Sequence, residues 1–83
     1  MRRIDLRALV MPITVRNEVF KLLATIEVAE TVQAVRISSS RAEGFVLGLE
    51  TAQAFNNELI ESLYIGFESA GENRLAGICE TGY

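Results

Sequence analysis

The chain has 83 residues, of which 49% are hydrophobic, and it carries a formal net charge of −3 with one cysteine and no histidine. A single cysteine excludes an internal disulfide, and the lack of histidine excludes Ser-His and Cys-His catalysis and the commonest metal ligand. The acidic balance argues against nucleic-acid binding, because phosphate contacts need a basic surface. We therefore expect one non-enzymatic domain over residues 1–83, without a cofactor or metal, in the reducing cytoplasm.

The apolar content is high for so short a chain. A small domain must cover a large relative surface with polar groups, yet the mean hydropathy is +0.24. Apolar side chains are therefore expected on the surface of the isolated subunit, where large patches usually mark an interface. This predicts a homo-oligomer, most simply a dimer, or a regulatory or inhibitory protein that binds a partner protein. The small size and acidic charge also fit an inhibitor encoded by a phage or mobile element.

The charges divide unevenly along the chain. Residues 1–41 carry seven basic and four acidic side chains, whereas residues 42–83 carry one basic and seven acidic side chains. The two halves either interleave within one domain or form complementary surfaces between subunits.

The first elements read as a strand followed by a helix. Residues 4–10 alternate apolar and polar side chains, which predicts a strand that ends at Pro12. Thr14 can cap the helix, whose apolar residues recur at helical spacing: Val15, Val19, Leu22, Leu23 and Ile26. Residues 19–28 also alternate and are rich in β-branched side chains, so a second strand is the alternative.

Two β-rich segments then flank the sequence SSSRAEG. Residues 32–38 and 45–49 predict strands, and the residues between them predict a hairpin loop. Arg41 and the hydroxyls of Ser38, Ser39 and Ser40 could instead bind an anion such as phosphate or a carboxylate. The segment therefore has two interpretations, a solvated hairpin or a small-ligand site.

The rest of the chain predicts one helix and two further strands. Thr51 can cap a helix over residues 51–63, on which Glu58 and Glu61 form a solvated face. Residues 64–67 return to strand character, ESAGEN predicts a turn, and residues 75–79 predict a closing strand. Cys79 is expected to be a small core residue, and the cluster of Arg2, Arg3 and Arg7 a solvated edge.

The element order β-α-β-β-α-β with an extra C-terminal strand predicts an α+β, ferredoxin-like two-layer sandwich. The alternative is an antiparallel β-meander packed on the single helix at 51–63. In the sandwich, both helices cover one face of the sheet and leave the other open. That open face, or an edge strand, is the predicted interface, and the interface residues would be Val35, Ile37, Val46, Tyr64 and Ile78. In the small-ligand alternative, the site lies at Ser38–Arg41 or between subunits. No apolar run approaches transmembrane length, so no membrane contact is expected.

Overall fold

The computed structural model describes the backbone of residues 4–81 and the side chains of residues 4–78. This part of the chain contains a short 3-10 helix (Leu6–Ala8) and three α-helices, α1 (Ile13–Val28), α2 (Val32–Thr51) and α3 (Asn57–Thr81). Residues 4–81 contain no strand. The predicted α+β, ferredoxin-like fold is therefore wrong, and so is the alternative of a β-meander packed on one helix.

The predicted first strand is a 3-10 turn followed by an extended segment. The Asp5 carboxylate accepts a hydrogen bond from the backbone N–H of Arg7 (3.0 Å), which starts the turn. Leu6 is buried against Gly66 of α3. This segment is therefore a capped turn that buries one leucine, and not a strand with an apolar and a polar face.

The helix predicted after Pro12 is confirmed as α1, so residues 19–28 are helical rather than a strand. Its buried residues Val19, Leu23 and Ile26 are spaced by four and three positions and form one stripe. The β-branched side chains of this segment are accommodated in the helix because the stripe packs against α2 and α3.

A single helix, α2, replaces two predicted strands and their connection. The Thr31 hydroxyl caps it by accepting a hydrogen bond from the backbone N–H of Ala34 (3.0 Å). The buried side of α2 repeats at positions i, i+3, i+7 and i+11, as Val35, Ser38, Ala42 and Val46. Residues 38–44, predicted to be a hairpin loop, lie in the middle of this helix.

The helix predicted to begin at Thr51 is interrupted, because α2 ends there and α3 begins only at Asn57. Gln53 adopts a positive φ of 54°, its N–H donates to the Glu50 carbonyl (3.0 Å), and the Ala54 N–H donates to the Leu49 carbonyl (3.1 Å). This pair of bonds is the Schellman motif that ends many helices. The Asn56 side chain then caps α3 by accepting from the Leu59 N–H (2.8 Å).

The α3 helix runs without a break through the predicted strands and the ESAGEN turn. Its buried residues Ile60, Leu63, Phe67 and Gly71 again follow the spacing i, i+3, i+7 and i+11. A Cβ at Gly71 would lie only 2.7 Å from the Ser39 hydroxyl oxygen, so glycine lets α2 and α3 approach closely. This residue is a packing contact and not a turn.

The three helices enclose one hydrophobic core, to which each of them contributes. At one end of the molecule, the Arg74 Nε of α3 donates a hydrogen bond to the carbonyl of Ala29, the residue that ends α1 (2.6 Å). This bond ties the last helix to the turn between the first two. The predictions for Arg2, Arg3 and the Cys79 side chain lie outside the described residues.

Candidate interaction surface

The Ser-Ser-Ser-Arg segment does not form a loop with converging side chains. Its four residues occupy consecutive positions of α2, so their side chains leave the helix about 100° apart. Ser38 is buried and its hydroxyl donates to the Ala34 carbonyl (2.8 Å), whereas Ser40 and Arg41 are exposed. The helix therefore separates the groups that the anion-site interpretation brings together.

Ser39 faces α3, opposite to the solvent side of the helix. Its hydroxyl oxygen is buried and has no hydrogen-bond partner. The oxygen lies next to Gly71 of α3, where a Cβ would be only 2.7 Å away from it. An unbonded hydroxyl at a crossing of small residues is explained by this packing.

The residues predicted to form an interface divide between the core and the surface. Val35 and Val46 are 1% and 0% exposed and belong to the core, so the folded chain does not offer them to a partner. Tyr64 and Ile78 are partly buried. Ile37 is 49% exposed and lies on the solvent side of α2. The open sheet face that grouped these five residues is not formed, because residues 4–81 contain no strand.

The solvent side of α2 is a long surface without charged side chains, which we call the α2 outer face. Its seven residues are all exposed and follow helical spacing along the length of the helix. They are Gln33, Ile37, Ser40, Gly44, Leu47, Gly48 and Thr51. Ile37 and Leu47, 49% and 54% exposed, are the large apolar side chains of this face.

Two glycines lie in the middle of the α2 outer face, and the fold of the subunit does not require either of them. Gly44 and Gly48 have negative φ, and a Cβ at either position would meet no atom within 4 Å. Glycine inside a helix costs about 1 kcal/mol of stability relative to alanine. The chain thus carries two destabilising residues where a second backbone could approach α2 closely. Sequence reasoning missed both glycines because they were placed beside or within a strand.

A row of charged side chains runs along one flank of the α2 outer face. Arg36, Glu43 and Glu50 are spaced by seven residues, so they lie on the same side of the helix, and all three are exposed. The row is basic near the start of α2 and acidic in its middle and at its end. Arg41 lies on the opposite flank, which faces α1.

Glu50 is the only member of this row with a hydrogen bond among the described side chains. Its Oε1 accepts the Tyr64 hydroxyl at 2.8 Å. Partial desolvation, this hydrogen bond and the negative charges of Glu50 and Glu43 raise the pKa of Tyr64 above its usual 10.0. The tyrosine therefore remains a neutral donor at physiological pH, and the second carboxylate oxygen of Glu50 is free to accept a further bond.

Two concave regions adjoin this flank. A groove of about 580 Å³ between α2 and α3 has the apolar side chains of Val35, Phe67 and Leu75 in its wall and Glu43, Glu68 and Glu72 among its polar lining. A shallower hollow of about 400 Å³ lies over Gln33, Arg36, Ile37, Ser40 and Arg41. The exposed part of the Ser-Ser-Ser-Arg segment thus joins Arg36 at the start of the α2 outer face.

Comparison with known proteins gives no match to any family model, curated protein or solved structure. The described residues contain no group of three or more His, Cys, Asp or Glu side chains placed to hold a metal ion. None of the helices in the described part of the chain is both long enough and apolar enough to cross a membrane.

Proposed function

We propose that the protein acts by protein–protein association, first of all with itself, and that the α2 outer face is the contact surface. The observation that supports this function is the combination of exposed Ile37 and Leu47 with Gly44 and Gly48 on an uncharged helix face. Apolar side chains gain free energy when a partner covers them, and glycines let a second backbone come close. The single cysteine of the sequence is compatible with the reducing cytoplasm in which we propose this association to occur.

The expected association is weak and reversible. A helix of 20 residues is about 30 Å long, and one face of it offers less than the roughly 800 Å² per partner of a standard stable interface. Monomer and dimer should therefore exchange within an accessible range of concentration. Sedimentation velocity over a hundredfold range, combined with light scattering, measures this equilibrium directly.

The variant Gly44→Gln tests the surface, because it should change folding and association in opposite directions. Glutamine is a better helix former than glycine and meets no atom at this position, so the free energy of unfolding should rise by about 0.5–1 kcal/mol. Its side chain should also hold a second helix away and weaken self-association at least tenfold. Urea unfolding at low protein concentration and sedimentation velocity provide the two measurements.

Neutral substitutions of the exposed apolar residues supply a second test and its control. The double variant Ile37→Gln, Leu47→Gln should also weaken association, whereas Val10→Gln, at a residue 92% exposed and outside α2, should leave it unchanged. A parent chain that stays monomeric at every concentration overturns the proposal. So does unchanged self-association in both α2 variants.

A second candidate function is anion binding in the hollow beside Ile37. Arg36, Ser40 and Arg41 line this hollow and can offer a guanidinium fork and a hydroxyl to a phosphate or carboxylate. Bound phosphate at one hundred times its dissociation constant should stabilise the fold by about 2.7 kcal/mol. Thermal melting of the parent and of Arg36→Gln in phosphate, at constant ionic strength, tests this function. Equal melting temperatures with and without phosphate reject it.

A further inference from the structure

We infer that two copies of the chain pair through α2 in antiparallel orientation, and that Arg36 and Glu50 determine this direction. The inference rests on the proposed function, since it names the partner of the α2 outer face and the residues that orient it. It is drawn from the distribution of charge along α2, which is independent of the apolar side chains and the glycines.

The positions of the three flanking charges define where they meet a second helix. Arg36 and Glu50 are fourteen residues apart, which corresponds to about 21 Å along the helix axis. Their midpoint is residue 43, next to Gly44. A two-fold axis through this point brings the helix backbones together at the glycine and places Arg36 of each copy opposite the partner's Glu50. The two symmetric pairs lie on the same flank of the helix pair.

A parallel pair of α2 helices, related by a two-fold axis along the helices, would place the charged flanks of the two copies on opposite sides of the pair. Arg36 would then not meet the partner's Glu50, and neither attractive pair would form. Like charges that are neighbours across a helix pair repel, whereas opposite charges attract and select the orientation of the partner. The charged flank therefore favours the antiparallel direction, because only there do the two opposite-charge pairs form.

Arg36 and Glu50 can both bind a side chain of a second copy. Arg36 is exposed and has no ion pair among the described side chains, where the one ion pair joins Arg7 to Glu27 (3.2 Å). Glu50 uses only Oε1 for the Tyr64 hydroxyl. The two copies of Glu43 come near each other at the two-fold axis and repel each other. This repulsion opposes the two attractive pairs, but both Glu43 side chains lie on the flank and extend into solvent.

Charge reversal tests the inference within a single chain. Arg36→Glu and Glu50→Arg should each weaken self-association about tenfold at low salt, because each replaces two attractive pairs by two repulsive ones. The double variant Arg36→Glu, Glu50→Arg should restore the parent affinity, since both pairs return with their signs exchanged. In parallel pairing Arg36 and Glu50 of the two copies would lie on opposite sides of the helix pair, so reversing both charges would not restore the parent affinity.

Three controls test whether the changes in association come from the pairs of Arg36 and Glu50 and not from other consequences of the substitutions. Tyr64→Phe removes the hydrogen bond to Glu50 without changing charge and should leave association unchanged. Glu61→Arg, an exposed position on α3, should have little effect. The differences between charge variants should shrink in 1 M salt, where the Debye length is about 3 Å.

The outcomes distinguish this inference from the proposed function. If Gly44→Gln weakens association but both single reversals leave it unchanged, the surface is right and the antiparallel direction is wrong. A double variant that stays as weak as the single ones also overturns the direction. If Gly44→Gln has no effect on association, the proposed function itself fails.

Discussion

Gln53 is the one residue between positions 4 and 81, glycines included, with a positive φ (54°). It occupies the position after the α2 C-cap where glycine is the usual residue, because a Cβ clashes with the following carbonyl in left-handed backbone. The strain of a non-glycine residue there is about 1 kcal/mol. The two backbone hydrogen bonds that close α2 offset this strain.

Replacement of Gln53 should therefore stabilise the fold. We expect Gln53→Gly to raise the free energy of unfolding by about 0.5–1 kcal/mol, as measured by urea unfolding. Gln33→Gly, in the first turn of α2, is the matched control and should lower the free energy of unfolding. A loss of stability in Gln53→Gly would show that the side chain contributes more than its backbone strain costs.

At the level of elements, α1 was predictable because its stripe is uninterrupted. Val19, Leu23 and Ile26 are large and apolar, so the helical period is visible without knowledge of what they contact. The alternating pattern in residues 19–28 does not produce a strand, since the described residues contain no neighbouring strand with which it could pair.

The other two helices were not predicted because each buried stripe contains a residue that suggests a different structure. Ser38 interrupts the stripe of α2, and its burial is possible because its hydroxyl donates to the Ala34 carbonyl. Gly71 interrupts the stripe of α3, and its place depends on Ser39, 32 positions earlier. A local pattern cannot reveal such a partner, so serine and glycine were interpreted as a loop and a turn.

The α2 outer face could not be predicted from a local pattern either. The sequence predicts Ile37 at an interface, but as part of a sheet face, and the described residues contain no sheet. The seven-residue spacing of Arg36, Glu43 and Glu50 has meaning only on a helix, where it aligns them on one flank. The composition predicts apolar side chains on the surface, and Ile37 and Leu47 are exposed. That they form an interface stays a prediction, which the association experiments test.

The contact between the 3-10 helix and α3 can be tested through Gly66. A Cβ there would lie 2.5 Å from the Leu6 Cγ, and both residues are buried. We expect Gly66→Ala to lower the free energy of unfolding by about 1–3 kcal/mol through overpacking. Gly77→Ala, on the same helix with no atom within 4 Å of its Cβ, should instead be neutral or stabilising. Equal effects of the two variants would contradict the close contact.

For the molecule as a whole, the uneven charge of the sequence persists in three dimensions. The ion pair of the described residues, Arg7–Glu27, joins two members of the first half of the chain. The exposed glutamates of α3, among them Glu58, Glu61, Glu68 and Glu72, have no basic partner within the described side chains. The charges of the two halves do not neutralise each other within the described part of one subunit, which leaves them available to a second one.

The bond between Arg74 and the Ala29 carbonyl should make a measurable contribution to the stability of the whole fold. It is a short, partly buried, charge-assisted hydrogen bond between distant parts of the chain. Arg74→Ala should lower the free energy of unfolding by about 1–3 kcal/mol in urea. Arg41→Ala, an exposed arginine with no bond of this kind, should change it by less than about 0.5 kcal/mol. Similar losses in both variants would assign the effect to charge alone.

The same bond has a consequence for the chain during its synthesis. It joins residues 45 positions apart, so the carbonyl at the end of α1 gains this hydrogen bond only after Arg74 has left the ribosome. Until then α1 and α2 expose the apolar sides that α3 later covers. Such partly built chains aggregate readily. We therefore expect the nascent chain to be most prone to aggregation between the release of its second helix and the release of its third.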